Sequence, residues 1–252
     1  MEFSFEILIL LFFVAIIAGW VDAIAGGGGL ITIPVLILAG LSPTAALATN
    51  KLQGSAGTLT ASLYFIKKKT VNLKEIKLAI IATFIGSVIG SWVVLKIDAQ
   101  TLIVLLPILL ISMGLYFLFS PHISDEDRKG KLTVVFFALL ACPLLGFYDG
   151  FFGPGTGSFM ALAFVILLGY SLPNATANSK ILNFVSNISS LLYFVLYGDV
   201  YWSIGVIMIG GQFIGAIIGA KMILEKGSLV IKPVVASVCF LMSANILLKT
   251  YW

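Results

Sequence analysis

Hydrophobic residues run in long blocks along this chain, and polar residues gather in the short intervals between them. The blocks 3–25, 78–95, 102–119, 132–145 and 200–218 approach or reach the ~20 residues that carry an α-helix across a bilayer. In lipid every backbone N–H and C=O has to pair inside the protein, which leaves helices or a closed barrel. A barrel strand would alternate apolar and polar side chains over ~10 residues, and no such alternation occurs here. The pattern predicts an all-α integral membrane protein with about 8–10 membrane segments. Block 3–25 also ends in the small residues Ala23-Ile24-Ala25, as a cleaved leader would. It opens with Glu2 and Glu6 rather than lysines, and it outruns the ~7–15 apolar residues of a leader, so it is expected to be the first membrane helix.

Composition agrees. The chain has 252 residues, 60% of them hydrophobic and 10% charged, with a mean hydropathy of +1.12; a soluble domain carries about 25% charged residues. A net charge of +4 could suit nucleic acid, but the lysines sit in short loops between apolar blocks, the positive-inside arrangement of a membrane protein. No nucleic-acid partner is expected. Cys142 and Cys239 lie within apolar segments, too few and too far apart for a disulfide framework or a metal cluster. There is no Walker sequence, so neither nucleotide use nor any cofactor is expected.

The chain repeats itself. Gly19-Trp20-Val21-Asp22 followed by Gly26-Gly27-Gly28 returns as Gly146-Phe147-Tyr148-Asp149 followed by Gly153-Pro154-Gly155, a shift of 127. Two extra residues then raise the shift to 129, matching Lys51 with Lys180, Gly86 with Gly215 and Gly90 with Gly219. Chance similarity of apolar segments would not align the rare charged residues. A first repeat over 1–120, a polar cytoplasmic loop over 121–131 and a second repeat over 132–252 are expected. Each repeat reads as a long span, a short one and three more, in the first repeat 3–25, 30–40, 44–66, 75–95 and 101–119. An odd number of crossings inverts the second unit. That arrangement puts Lys67, Lys68, Lys69, Lys74, Lys77, Arg128, Lys129, Lys131, Lys221, Lys226 and Lys232 on one side, with only Lys96 and Lys249 opposite.

Asp22, Asp149, Lys51 and Lys180 are the ionisable residues at membrane depth, where a charge costs about 3 kcal/mol on insertion scales. Such residues either pair to hold helices together or serve a solute path. Gly26 to Gly29 form four consecutive glycines just after Asp22, each disfavouring helix by about 1 kcal/mol relative to alanine. A break is predicted there, and another at Gly153-Pro154-Gly155-Thr156-Gly157. Irregular backbone at this depth has to be buried in protein or line a cavity. The N-termini of the short helices that follow would then offer N–H groups to an anion. Gly26, Gly27, Gly28, Gly153, Gly155 and Thr156 are therefore candidate solute contacts. Lys180, Asn183 and Asn187 fall at i, i+3 and i+7 on one helical face; Lys51, Gly54 and Thr58 occupy the matching offsets, with Asn50 and Gln53 adjoining. Lys51, Lys180, Asn50, Asn183 and Asn187 join the candidate binding set, and Asp22 and Asp149 are expected to carry a coupling proton or to orient the broken helices. Gly86-xxx-Gly90 and Gly211-xxx-Gly215-xxx-Gly219 are small-residue faces suited to close helix packing; they also allow a homodimer. Gln212, aligned with Thr83, either borders the path or bonds across it. His122 lies in the charged loop and is expected to be solvated.

The run Asp22-Ala23-Ile24-Ala25-Gly26-Gly27-Gly28-Gly29-Leu30-Ile31-Thr32-Ile33-Pro34, the segment Ala48-Thr49-Asn50-Lys51-Leu52, and Gly150-Phe151-Phe152-Gly153-Pro154-Gly155-Thr156-Gly157 together resemble the sulfite exporter TauE/SafE family of membrane permeases, over essentially the whole chain. The resemblance implies a prokaryotic cytoplasmic membrane and small sulfur-containing anions, such as sulfite or organosulfonates, as solutes. The expected activity is secondary transport of a small anion. A passive anion channel is the alternative that sequence does not separate from a carrier. An intramembrane aspartyl protease with Asp22 and Asp149 as its dyad is a third reading, but it leaves the glycine turns and paired lysines without a task.

Overall fold

A computed structural model describes residues 3–98, 100–102, 104, 105, 108 and 128–226. Most of the expected segment 101–119, the charged loop with His122, Cys239, and the last segment of the second repeat lie outside the described residues.

Eight α-helices are bounded within them: α1 Phe5–Ala25, α2 Gly28–Leu38, α3 Pro43–Lys67, α4 Lys77–Val94, α5 Val134–Phe151, α6 Thr156–Ala163, α7 Leu172–Tyr197 and α8 Trp202–Lys226. A π turn, Phe164–Leu168, prolongs α6 and ends at Gly169 in the left-handed region. Local chemistry sets several starts. Ser42 accepts the N–H of Ala45 at 3.3 Å ahead of Pro43, and Thr133 accepts that of Phe136 at 3.4 Å, each satisfying one of the donors a helix leaves orphaned at its first turn. Pro173 sits in the first turn of α7, where its missing N–H costs nothing.

Five helices, α1, α4, α5, α7 and α8, are long and apolar enough to cross a membrane, and the chain is a multi-pass membrane protein. Their outward faces carry Leu10, Phe13, Ile17, Ile85, Ile89, Leu140, Leu144 and Ile217, side chains that suit lipid. The expected span 44–66 is α3, whose 25 residues are long enough at about 37 Å but not apolar. It buries Thr49, Asn50, Lys51, Gln53, Ser55, Thr58 and Thr60, so it is enclosed by protein rather than by lipid. The short segments are 11 residues in α2 and 13 in α6 with its π turn, about 16 and 20 Å against a hydrocarbon core of about 30 Å.

The most extensive pairings set α1 along α8 and α4 along α5. Glycines make both possible. A Cβ on Gly86 or Gly90 would strike the carbonyl oxygens of Pro143 or Phe147, and one on Gly215 or Gly219 those of Ile16 or Trp20. The small-residue faces are thus consumed inside the chain, and a second copy would have to use other surfaces. In each pair the contact advances in the same direction along both helices, so each pair is parallel. Phe3 meets the ring of Tyr201 edge-on at 6.2 Å, and the N–H of Tyr201 donates to Thr49 Oγ1 at 3.1 Å; the starts of α1, α3 and α8 lie together. Lys131 and Leu132 donate to the carbonyl of Leu167 at 2.8 and 2.9 Å, and Tyr170 donates its hydroxyl to Glu75 at 3.2 Å. The starts of α4, α5 and α7 therefore gather at the other end.

Candidate functional site

Both chain breaks meet at the centre. α1 stops because Gly26 takes φ +67 and its N–H donates to the carbonyl of Asp22 at 2.6 Å, a left-handed cap that only glycine adopts without strain. α2 then packs back on α1, and a Cβ on Gly28 would come within 2.8 Å of the Asp22 side chain. After α5 the chain turns at Gly153 and Gly155, with φ +94 and +80. The Tyr148 hydroxyl donates to the carbonyl of Pro154 at 2.9 Å, and the Thr156 hydroxyl to that of Gly153 at 2.7 Å. The two turns touch backbone to backbone, Gly26 against Gly157, with Gly29 beside Pro154.

The buried charges pair across these turns. Lys51 Nζ on α3 lies 2.9 Å from Asp149 Oδ2 at the end of α5, with both side chains sealed from solvent, and it also donates to the Asp149 carbonyl at 2.5 Å. Lys180 Nζ on α7 lies 3.6 Å from Asp22 Oδ2 at the end of α1 and donates to the Asp22 carbonyl. Each ammonium thus sits against the negative end of a helix, where cations are favoured. The pairs are not equal. Asp22 keeps 15% of its side chain exposed against 2% for Asp149, and its Oδ2 is beyond hydrogen-bond reach of the lysine. Its Oδ1 instead accepts the N–H of Gly28 at 3.2 Å. The N-terminus of α2, offered by sequence reasoning to a solute, is held here by the protein's own carboxylate.

Amides complete the centre. Gln212 on α8 donates to Gln53 Oε1, Gln53 donates to Asn50 Oδ1 at 2.7 Å, and the Thr32 hydroxyl on α2 contacts the same oxygen at 2.6 Å. Asn187 donates to Asn183 Oδ1 at 2.9 Å. Between these groups is a polar cavity lined by Asp22, Asp149, Gly28, Gly29, Gly54 and Gly153 and by the amides of Asn50, Gln53, Asn183, Asn187 and Gln212. It offers about 20 Å³, room for about one water. Two open depressions of about 460 and 470 Å³ lie at the two ends of the bundle, one around Gly198–Trp202 and one around Lys69–Asn72 with Tyr170, Asn174 and Asn178.

Of the sequence candidates, Asp22, Asp149, Asn50, Asn183, Asn187, Gly28 and Gly153 line the cavity, whereas Lys51 and Lys180 stand behind the aspartates. Gly26, Gly27, Gly155 and Thr156 shape the turns without reaching it. Gln53 and Gly29 are not among the sequence candidates, whereas Gln212, expected to border the path or bond across it, lines the cavity and donates to Gln53. The signal for Gln53 was its place beside Asn50-Lys51 in a segment too polar for lipid.

Polar side chains of a helical membrane protein converge here on a small central cavity between two chain breaks, an arrangement that suits a membrane transporter. Residues 11–246 match the pattern of the family described as "Sulfite exporter TauE/SafE". The chain is similar to a "Probable membrane transporter protein" of Haemophilus influenzae, 48% identical over 252 residues, covering 100% of this chain and 99% of the relative. It is 51% identical over 241 residues to the "Probable membrane transporter protein YfcA" of Escherichia coli K12, covering 96% and 90%. It is 27% identical to YunE of Bacillus subtilis over 86% of this chain and 88% of that one. The chain belongs to the TauE/SafE family.

Proposed function

We propose that this protein is a secondary transporter of a small anion of the sulfur-containing kind, such as sulfite or an organosulfonate, in the cytoplasmic membrane of a prokaryote. The observation that carries the reading is the pair of buried lysines, each held by an aspartate at one polar cavity where both chain breaks meet. A buried ion pair adds little net stability compared with apolar packing, so two of them at one cavity ask for a use. Lysines are the groups there that an anion would seek, and the family description, a sulfite exporter, names that class of solute.

The two halves act as inverted repeats in this reading. α1, α3 and α8 start at one end and α4, α5 and α7 at the other, so α1, α3 and α4 run opposite to α5, α7 and α8 respectively, which supports the inverted arrangement. The interlocked pairings, α1 with α8 and α4 with α5, interchange under a two-fold axis in the membrane plane. Rocking of such halves about a central site is the usual basis of alternating access. The small central cavity is then the shared site, and the depressions at the two ends are its two approaches.

Flux into proteoliposomes tests the proposal, with sulfite, thiosulfate, sulfate, sulfonates and carboxylates under an imposed pH gradient. Saturable accumulation of one anion class against its gradient, lost in Lys51→Ala and Lys180→Ala, is the expected result. Flux that never exceeds equilibration would make the protein a channel. No flux of any anion by folded protein would return the lysines to structural pairing.

A further inference from the structure

The two ion pairs differ in a way that the proposed function does not require, and the difference assigns them separate tasks. Asp149 is sealed, its Oδ2 2.9 Å from Lys51 Nζ. Asp22 is partly open, 3.6 Å from Lys180 Nζ, and its other oxygen rests on the Gly28 N–H at the start of α2. A carboxylate resting on a helix N-terminus beside an ammonium is chemically what a small oxyanion would be in the same place. We propose that Asp22 is a tethered stand-in for the transported anion: the solute binds by replacing the Asp22 carboxylate at Lys180 and the Gly28 N–H, and Asp22 leaves by taking a proton, while Lys51–Asp149 stays closed as the structural clamp. The inference rests on the anion reading and narrows it to a monovalent oxyanion moving with one proton.

Space and charge both favour exchange over addition. The cavity has room for about one water, too little for an anion with three or more heavy atoms. Withdrawing the carboxylate of Asp22, which lines the same cavity, supplies the missing volume. The charged groups facing Asp22 are Lys180 from α7, with Lys51 from α3 and Asp149 from α5 behind it; α2, α6 and α8 present neutral groups there, Gly28, Gly157 and Gln212. Two lysines and two aspartates sum to zero. Adding an anion alone would leave one uncompensated negative charge in a water-poor site, a severe cost. A proton from the side the site faces converts the Asp22 carboxylate to the neutral acid and restores neutrality, with no other group changing charge. Asn183, which lines the cavity and lies near Lys180 across Gly157, is placed to donate to the incoming oxygen.

The test is anion binding to purified protein as a function of pH, with sulfite, methanesulfonate and ethanesulfonate as probes; the two sulfonates keep a single negative charge throughout, so their binding and proton uptake report Asp22 alone. For wild type, affinity for whichever of these binds should fall as pH rises, approaching about tenfold per pH unit, and addition of that anion to unbuffered protein should draw one proton from solution. Asp22→Asn should bind at least about tenfold more tightly at the alkaline end, with the pH dependence gone, and its melting temperature should rise steeply with added anion. Asp149→Asn should keep the pH dependence. The neutral variant Asp22→Asn with Lys180→Gln should fold and lose binding. Wild-type binding without proton uptake, or Asp22→Asn binding no more tightly than wild type, overturns the exchange and leaves anion transport standing. Loss of pH dependence in Asp149→Asn instead would move the role to the other pair. If neither wild type nor Asp22→Asn binds any of the three anions, the anion reading fails and the exchange falls with it.

Discussion

Lys51 reaches from α3 to the last turn of α5 and holds both the carboxylate and the backbone carbonyl of Asp149, at 2.9 and 2.5 Å. One side chain thereby ties the first half of the chain to the helix end of the second, at a position where neither group meets solvent. Removing one partner strands the other as an unpaired charge, which costs about 3–5 kcal/mol, whereas removing both can be nearly neutral. Lys51→Met and Asp149→Leu should each melt well below wild type in detergent, and the double variant should recover most of the loss. A double variant as unstable as the sum of its parts would mean that the pair contributes through packing alone.

The parallel contacts of α4 with α5 and of α1 with α8 depend on glycine where backbone meets backbone. A methyl group at Gly86 or Gly215 would collide with the carbonyl of Pro143 or Ile16, a rigid neighbour rather than a flexible side-chain end. Overpacking of this kind costs about 1–3 kcal/mol. Gly86→Ala and Gly215→Ala should each lower the melting temperature by similar amounts, since they stand at matching places in the two interfaces. Gly54→Ala is the control: its Cβ would meet the Asn187 side chain only at ordinary contact distance, 3.6 Å.

The polar stripe of α7 and the two chain breaks were legible in the sequence because a charge or a glycine run inside an apolar block has few structural excuses. α1 ends at Ala25 and α5 at Phe151, beside the glycine runs, where Gly26 and Gly153 take positive φ. The partners of the charges were not legible. Repeat alignment matches Asp22 with Asp149 and Lys51 with Lys180 but names no partners; in the fold Lys51 meets Asp149 and Lys180 meets Asp22, each across the two halves. Such pairing depends on helix placement, which periodicity does not encode. Gln53 escaped for a related reason: a glutamine next to an asparagine and a lysine carries no signal of its own until α8 brings Gln212 against it.

Asp98 offers a titration that can be followed outside the membrane helices. Both of its oxygens are hydrogen-bonded by Thr101, Oδ1 by the backbone N–H at 2.8 Å and Oδ2 by the hydroxyl at 2.7 Å, and these bonds hold its carboxyl below the usual carboxylate range. A depressed folded-state value stabilises the start of the following helical turn at any pH above the ordinary carboxylate value, and that contribution is lost as pH falls through the depressed one. Thr101→Val keeps the backbone donor and removes the hydroxyl, so the Asp98 carboxyl should titrate higher in the variant without reaching the ordinary value. A carbon-detected NMR titration of the labelled carboxyl reads the shift; no change would mean that the backbone bond alone sets it.

The amide chain Gln212–Gln53–Asn50–Thr32 joins α8, α3 and α2 along one side of the cavity. Gln53 sits in its middle, accepting from Gln212 and donating to Asn50, and is 1% exposed. Its replacement by leucine strands the Gln212 amide at both ends, at about 1–3 kcal/mol, and takes one of two donors from Asn50 Oδ1, which keeps the Thr32 hydroxyl. Gln212 ends the chain, with Oε1 unpartnered between Gly19 and Gly57, so Gln212→Leu strands only the Gln53 oxygen. Gln53→Leu should therefore lower the melting temperature more than Gln212→Leu, while Gln53→Glu should fold poorly at neutral pH, because a third carboxylate would join Asp22 and Asp149 at one cavity. Equal melting temperatures for the two leucine variants would mean that water already replaces the Gln53 bonds, and that the cavity is wetter than its room for one molecule implies.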